Sequence, residues 1–170
     1  MIYDSRFEIR DWELQFPVTS NPGSRTSNPF MILPEKIHLE VVTPEKLLFS
    51  GAVDYVTVPS AIGYLGILPG HAPLLAELGI GEISYKIGEQ KDYFSCSWGF
   101  VEVLPDRVVV LAQNAETSST IDIQRAEKAK SRAEKRLLSK DPNIDFARAQ
   151  LALLRAISRI GVAAHRIAKR

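Results

Sequence analysis

The chain has 170 residues, 45% hydrophobic and 24% charged, with a net charge of +1. That balance is typical of a soluble globular protein rather than a disordered one, and no run approaches the roughly 18 apolar residues of a transmembrane helix. A single cysteine, Cys96, excludes an internal disulfide and a cysteine-based metal site; it reads as a half-buried thiol in a strand.

Residues 1–30 place Pro17, Pro22, Gly23 and Pro29 among Ser, Thr and Asn, which suggests an extension with little fixed structure. Asp4, Glu8, Asp11 and Glu13 leave its start without the apolar core of a secretory signal or the basic character of a transit peptide, and a cytosolic location fits. Met31 opens a segment of different character and is a candidate native start.

Residues 31–117 read as short strands. Ile37, Leu39 and Val41 alternate with His38, Glu40 and Val42; Val56 and Val58 flank Thr57; Ile83, Tyr85 and Ile87 alternate with Ser84 and Lys86. Period-two patterns of this length predict half-buried strands. Turn signals fall at Ser50-Gly51, Pro69-Gly70, Gly88-Glu89-Gln90 and Pro105-Asp106. Strands in quick succession, with no helical stretch between them, predict an all-β sandwich or barrel. Gly63-Tyr64-Leu65-Gly66 lacks the Gly-Lys-Ser/Thr ending of a phosphate loop.

Residues 118–170 switch to helical periodicity. Ile121-Asp122-Ile123-Gln124-Arg125-Ala126 recurs 23 positions later as Ile144-Asp145-Phe146-Ala147-Arg148-Ala149, and both copies continue with matched Ala and Arg positions. Each opens with an Asp suited to N-capping after an Ile suited to a hydrophobic staple. Asp141-Pro142-Asn143 separates the copies, so a helical hairpin is expected. At about 100° per residue, Arg125, Arg132 and Arg136 share one face, as do Arg148, Arg155 and Arg159. Alanine stripes beside each row allow close helix approach with little apolar burial, so the pairing should be marginal. Phe146, Leu153, Ile157, Ile160 and Ile167 form a larger apolar stripe that points to a second contact, on the sandwich or on another protein.

Residues 122–170 carry 13 Lys/Arg against 5 Asp/Glu, a balance of +8, whereas residues 1–121 stand at −7. An acidic body with a basic hairpin predicts a preference for anions or an acidic surface. Guanidinium groups bind phosphate bidentately, so a polyphosphate held by arginines of both helices would close the hairpin. A nucleic-acid module is disfavoured, because the arginines lack interleaved aromatics. Only His38, His71 and His165 are present, with no nucleophile–base arrangement and no metal cluster, which argues against an enzyme.

Three stretches resemble the epsilon subunit family of bacterial and chloroplast F-type ATP synthases: Ile37 to Glu45 running on to Phe49-Ser50-Gly51; Gly66-Ile67-Leu68-Pro69-Gly70-His71-Ala72-Pro73-Leu74-Leu75; and the helical segment from Ile121 to Ile167. The resemblance implies a β-sandwich of about ten strands followed by two helices. It implies a non-catalytic rotor subunit at the foot of the central stalk, between the gamma subunit and the polar loops of the c-ring, coupling proton flow to ATP synthesis. Such a subunit is peripheral, at the cytoplasmic face of the bacterial inner membrane, and requires no cofactor or metal. Gly63, Tyr64, Gly66 and His71 match the family's stalk and c-ring contact regions, although Tyr64 stands where an acid is common and Ser60 where glycine is. The hairpin implies regulation: extended, it inserts into the alpha/beta hexamer and blocks ATP hydrolysis; folded on the sandwich, it permits rotation. Some members bind ATP in the folded form through I/L-D-x-x-R-A. The matching residues are Glu116, Asp122, Arg125, Arg148, Arg155 and Arg159.

Overall fold

The computed structural model describes residues 33–139 and 141–168; the extension expected at 1–30 and the candidate start Met31 lie outside the described residues. Eight strands precede two helices. They are β1 (Ile37–Val42), β2 (Leu47–Val53), β3 (Tyr55–Ser60), β4 (Gly63–Ile67), β5 (Leu74–Glu77), β6 (Ile80–Ile87), β7 (Gln90–Val103), β8 (Arg107–Thr117), α1 (Ile123–Leu138) and α2 (Phe146–Ala168). The hydrogen-bonded order is β2-β1-β8-β7-β6-β3-β4, with β5 also on β7. Among the described residues only the β1–β8 pairing is parallel.

The alternation seen in the sequence selects the buried face. Ile37, Leu39 and Val41 of β1 are fully buried, as are Val101, Val103, Val108 and Val110 of β7 and β8. Val56, Val58, Ile67 and Ile83 close over them from the other layer, with Tyr85 and Phe94 stacked 5.6 Å apart. Each fully buried Val, Leu or Ile contributes about 1.5–3 kcal/mol, so this core outweighs the other apolar cluster among the described residues. Cys96 belongs to it and is fully rather than half buried, because its position on β7 points inward; burial pushes the thiol up to about 12.

The structure shows eight strands rather than about ten. The reason is visible in β7, which pairs with β6 as far as Ser97 and with β5 from Phe100 onward. Between them the chain turns a corner, with Trp98 at φ 57° and Gly99 at φ 127°. A Cβ on Gly99 would strike the Leu111 carbonyl oxygen, so only glycine fits. One unbroken strand thereby serves both layers. Ser50-Gly51 is not a turn either. Both residues lie within β2, and the β1–β2 reversal is made by Thr43 and Lys46, whose backbones exchange hydrogen bonds of 2.9 and 3.2 Å. Gly51 instead gives room to the Phe49 ring, which lies 4.4 Å from Tyr85.

The helices form the expected hairpin. Asp122 Oδ1 accepts from the Arg125 N–H (3.0 Å) and Asp145 Oδ1 from the Arg148 N–H (2.9 Å), so both copies of the repeat cap their helices identically. Ala126 and Ala133 of α1 and Ala149 and Ala156 of α2 are buried, forming the methyl-lined seam. The larger apolar stripe on α2 does not face the sandwich. Phe146 and Ile157 are each 48% exposed, Leu153 and Ile160 are half-buried, and the Ile167 side chain is outside the described ones. Another face of α2 docks on the outer side of β6 and β7, where Ser84, Ser95 and Ser97 keep the sheet surface low enough for a helix to lie close. Ser158 Oγ donates to the Gly81 carbonyl (2.7 Å) and accepts from Ser95 Oγ (2.8 Å). Val162 and Ala163 cover Ile121 beside Tyr93. His165 stacks on Tyr93 at 3.7 Å, with Nε2 3.1 Å from Glu82 Oε2.

Candidate functional site

Where the end of β8 meets the hairpin, a cleft of about 430 Å³ opens between the two helices. Glu116, Thr120, Asp122, Arg125, Ala126, Ala129, Arg132 and Arg159 line it. Its volume is in the range of small-molecule sites, but its lining is strongly polar. The acids come from β8 and the cap of α1; the cations come from both helices. Helical spacing explains the latter, since Arg125 and Arg132 are seven residues apart on α1 and Arg159 faces them from α2.

Arg159 is the anchored cation. Its Nε (2.9 Å) and Nη2 donate to Glu116 Oε1, and both side chains are about one-third exposed. Arg125 and Arg132 line the cleft without a hydrogen bond or ion pair from their guanidinium groups among the described residues. Asp122 is committed through Oδ1 to its cap, and the same carboxylate borders the cleft, so capping and lining coexist. The arrangement presents planar donors from two helices around a polar hollow, which suits a phosphate chain; the Glu116 and Asp122 carboxylates suit donors such as an amine or a hydroxyl.

Four of the six residues expected at a nucleotide site therefore meet here: Glu116, Asp122, Arg125 and Arg159. Two stand apart. Arg148 lines a second hollow of about 330 Å³ near the hairpin turn, with Arg136, Asn143, Ile144, Asp145 and Ala149. Arg155 lies over the Trp98 ring, 5.0 Å from its centroid. Burial first, then the nearby Arg159 and Arg148, hold the Arg155 guanidinium below its ordinary pKa. Pairing with Glu116 and contact with Trp98 thus divide the arginine rows among different surroundings. Arg132, although not among the expected nucleotide residues, lines the main cleft; its sevenfold spacing from Arg125 was the available signal. Thr120 is positioned by a turn in which its hydroxyl donates to the Thr117 carbonyl (3.0 Å), and nothing in its spacing marked it.

The residues expected at the stalk and c-ring contacts lie on sandwich loops. Gly63, at φ 130°, closes the β3–β4 turn, where Ser60 Oγ donates to its carbonyl (2.7 Å). Tyr64 is 63% exposed, and its hydroxyl accepts from the Glu82 N–H (3.3 Å). Gly66 is exposed, with open space where a Cβ would stand. His71 bonds the Ala72 carbonyl through Nδ1 at 2.7 Å, and its backbone N–H closes a turn on Leu68. Fully exposed Ile62 tips the same β3–β4 turn.

Two family models cover this architecture end to end. The ATP synthase delta/epsilon chain beta-sandwich domain matches residues 36–118, and the long alpha-helix domain of the same chain matches residues 119–164. The ATP synthase epsilon chain of Halalkalibacterium halodurans is 51% identical over 128 residues, 75% of this chain and 96% of that relative. The protein belongs to the ATP synthase epsilon chain family. Its counterpart in Syntrophobacter fumaroxidans is 46% identical over 129 residues, 76% of this chain and 96% of that one. A chain in the Euglena gracilis mitochondrial ATP synthase shares the fold, with a TM-score of 0.68 at 24% identity over 78% of this chain and 84% of that one. An epsilon chain is a non-catalytic subunit of its complex. No helix among the described residues is long and apolar enough to cross a membrane.

Proposed function

We propose that this epsilon chain is a rotor subunit of the central stalk, coupling proton flow through the c-ring to ATP synthesis, and that its hairpin regulates ATP hydrolysis by sensing ATP. In this reading the subunit is peripheral, at the cytoplasmic face of a bacterial inner membrane. The sandwich contacts the gamma subunit and, through the Gly63–Gly66 and His71 loops, the stalk and the c-ring. An apolar band on the outer face of the sheet, with Leu47, Leu111 and Phe100 each more than half exposed, supports a permanent protein partner there. The extended hairpin inserts into the alpha/beta hexamer and blocks hydrolysis; the folded hairpin permits rotation.

The observation that carries the sensing role is the cleft itself, which exists only while α1, α2 and the end of β8 are together. A ligand that binds only the folded form stabilises it by RT ln(1 + [L]/Kd), about 2.7 kcal/mol at a hundredfold excess over Kd. That suffices to move a nearly balanced equilibrium, so high ATP favours the permissive state. ATP's phosphates would meet Arg125, Arg132 and Arg159, with Arg155 and Arg148 further along the same helix. Asp122 and Glu116 would accept from the adenine amine or the ribose.

Isothermal titration of the full chain with MgATP is the test. Saturable one-to-one binding that disappears in the Arg155→Ala, Arg159→Ala double variant is the expected result. Unchanged affinity in that variant would refute the site.

A further inference from the structure

Trp98 occupies a backbone conformation that bulky L-residues rarely adopt, φ 57°, at the corner where β7 passes between layers. Strain of this kind persists where surrounding contacts over-determine it, and it clusters at functional sites. The indole is half-buried, and the group over it is the guanidinium of Arg155. No hydrogen bond or ion pair engages that guanidinium among the described residues. It nevertheless sits on the helix face it shares with Arg159 and Arg148, one turn and two turns away respectively, in partly desolvated surroundings that disfavour its charge. Repulsion from those two cations would otherwise drive a long, flexible side chain out into solvent.

We propose that Trp98 is a positioning residue of the hairpin's anion site, its ring carrying the Arg155 guanidinium so that its N–H edge is presented for a phosphate. The inference rests on the anion-binding reading of the cleft and names a residue outside the repeat motif as part of it. The geometry is selective in what it consumes. A guanidinium stacked on an aromatic ring engages it through its flat face, which would leave the five in-plane N–H donors free. Glu116, by contrast, takes Nε and Nη2 of Arg159 and uses up donors. Arg155 and Arg159 border one small hollow together with Ser95, Ser97, Asn114 and Glu116, so the two arginines are neighbours across it. Ordering Arg155 in advance lowers the conformational cost of binding, which is how a residue that never touches the ligand raises affinity.

Two variants make the test, both in the full chain. Trp98→Gly removes the ring and suits the left-handed backbone; Trp98→Phe keeps a smaller ring. The Arg155 Nε–Hε resonance is followed by NMR, and affinity for MgATP and for tripolyphosphate is measured by titration. The expected result is a ring-current shift of Arg155 that vanishes in Trp98→Gly, affinity weakened three- to tenfold in that variant, and partial rescue in Trp98→Phe. An unshifted Arg155 resonance in the unmodified chain overturns the proposal, as does equal affinity in all three proteins. Tripolyphosphate binding that follows the expected order without any ATP binding supports the positioning role and refutes the nucleotide reading alone. Binding of neither anion refutes both.

Discussion

The sandwich core and the hairpin seam are built from different materials. Between the layers, Ile37, Leu39, Val41, Val101, Val103, Val108 and Val110 are fully buried, each contributing about 1.5–3 kcal/mol. Between the helices, the buried residues are Ala126, Ala133, Ala149 and Ala156, whose methyl groups contribute about 0.8 kcal/mol apiece. The same chain thus pairs a body that holds its shape with an appendage whose docking is within reach of a ligand's binding energy.

The contrast can be broken most severely from the core. Leu39→Ala should destabilise the sandwich by about 2–5 kcal/mol through lost burial and the cavity left behind, seen as a lowered midpoint in chemical denaturation. Ser158→Ala should act on the hairpin alone. It removes the hydrogen bonds to Gly81 and Ser95 and should weaken α2 docking by about 1–3 kcal/mol, read as faster amide exchange in α2 while β1 and β8 stay protected. Asp122→Ala and Asp145→Ala should each cost about 1 kcal/mol of helix stability, read as loss of far-ultraviolet helical signal on heating. Equal effects of the two would confirm that the repeat is physical as well as textual.

Cys96 gives the smallest effect near neutrality and a clear sign. Its folded pKa, about 12, lies above the ordinary thiol value of 9.0. The native state therefore keeps its proton when the unfolded chain has lost its own. The stability contributed is complete below about pH 9 and declines as pH rises towards 12. Tyr85, raised to about 12 by burial and by Asp92, acts in the same direction from pH 10 upward. In the folded chain Cys96 should resist a thiol reagent at pH 8, and labelling at a rate matching that of an exposed thiol would contradict its burial.

Much of this comparison was legible in the sequence. Period-two alternation picked out the β1 and β6 core faces, and the 23-residue repeat gave both helices, both caps and the alanine seam. Strand continuity was not legible. Gly51 read as a turn and Gly99 carried no reading, yet the first makes room for the Phe49 ring inside a strand and the second turns a strand between layers. The groups they meet, the Phe49 ring and the Leu111 carbonyl, distinguish them. At the cleft, helical spacing put Arg125 and Arg132 on one face of α1, and both line it, with Arg159 opposite on α2. It could not place Arg155 or Arg148, because their partners are set by which part of α2 lies on the sheet. Trp98 carried no signal, since its role depends on a side chain 57 positions away.

The serine-lined surface beneath α2 has a consequence for reversibility. A helix that lifted from a leucine-rich sheet would leave a sticky patch, inviting aggregation or an immediate slam shut. Here the uncovered strip would contain Ser84, Ser95, Ser97 and Glu82, which water can solvate at once, with apolar surface confined to the Tyr93 and Ile121 end. In the proposed extended state the body stays soluble without a chaperoning cover, and each return of the helix meets a clean, wettable landing strip.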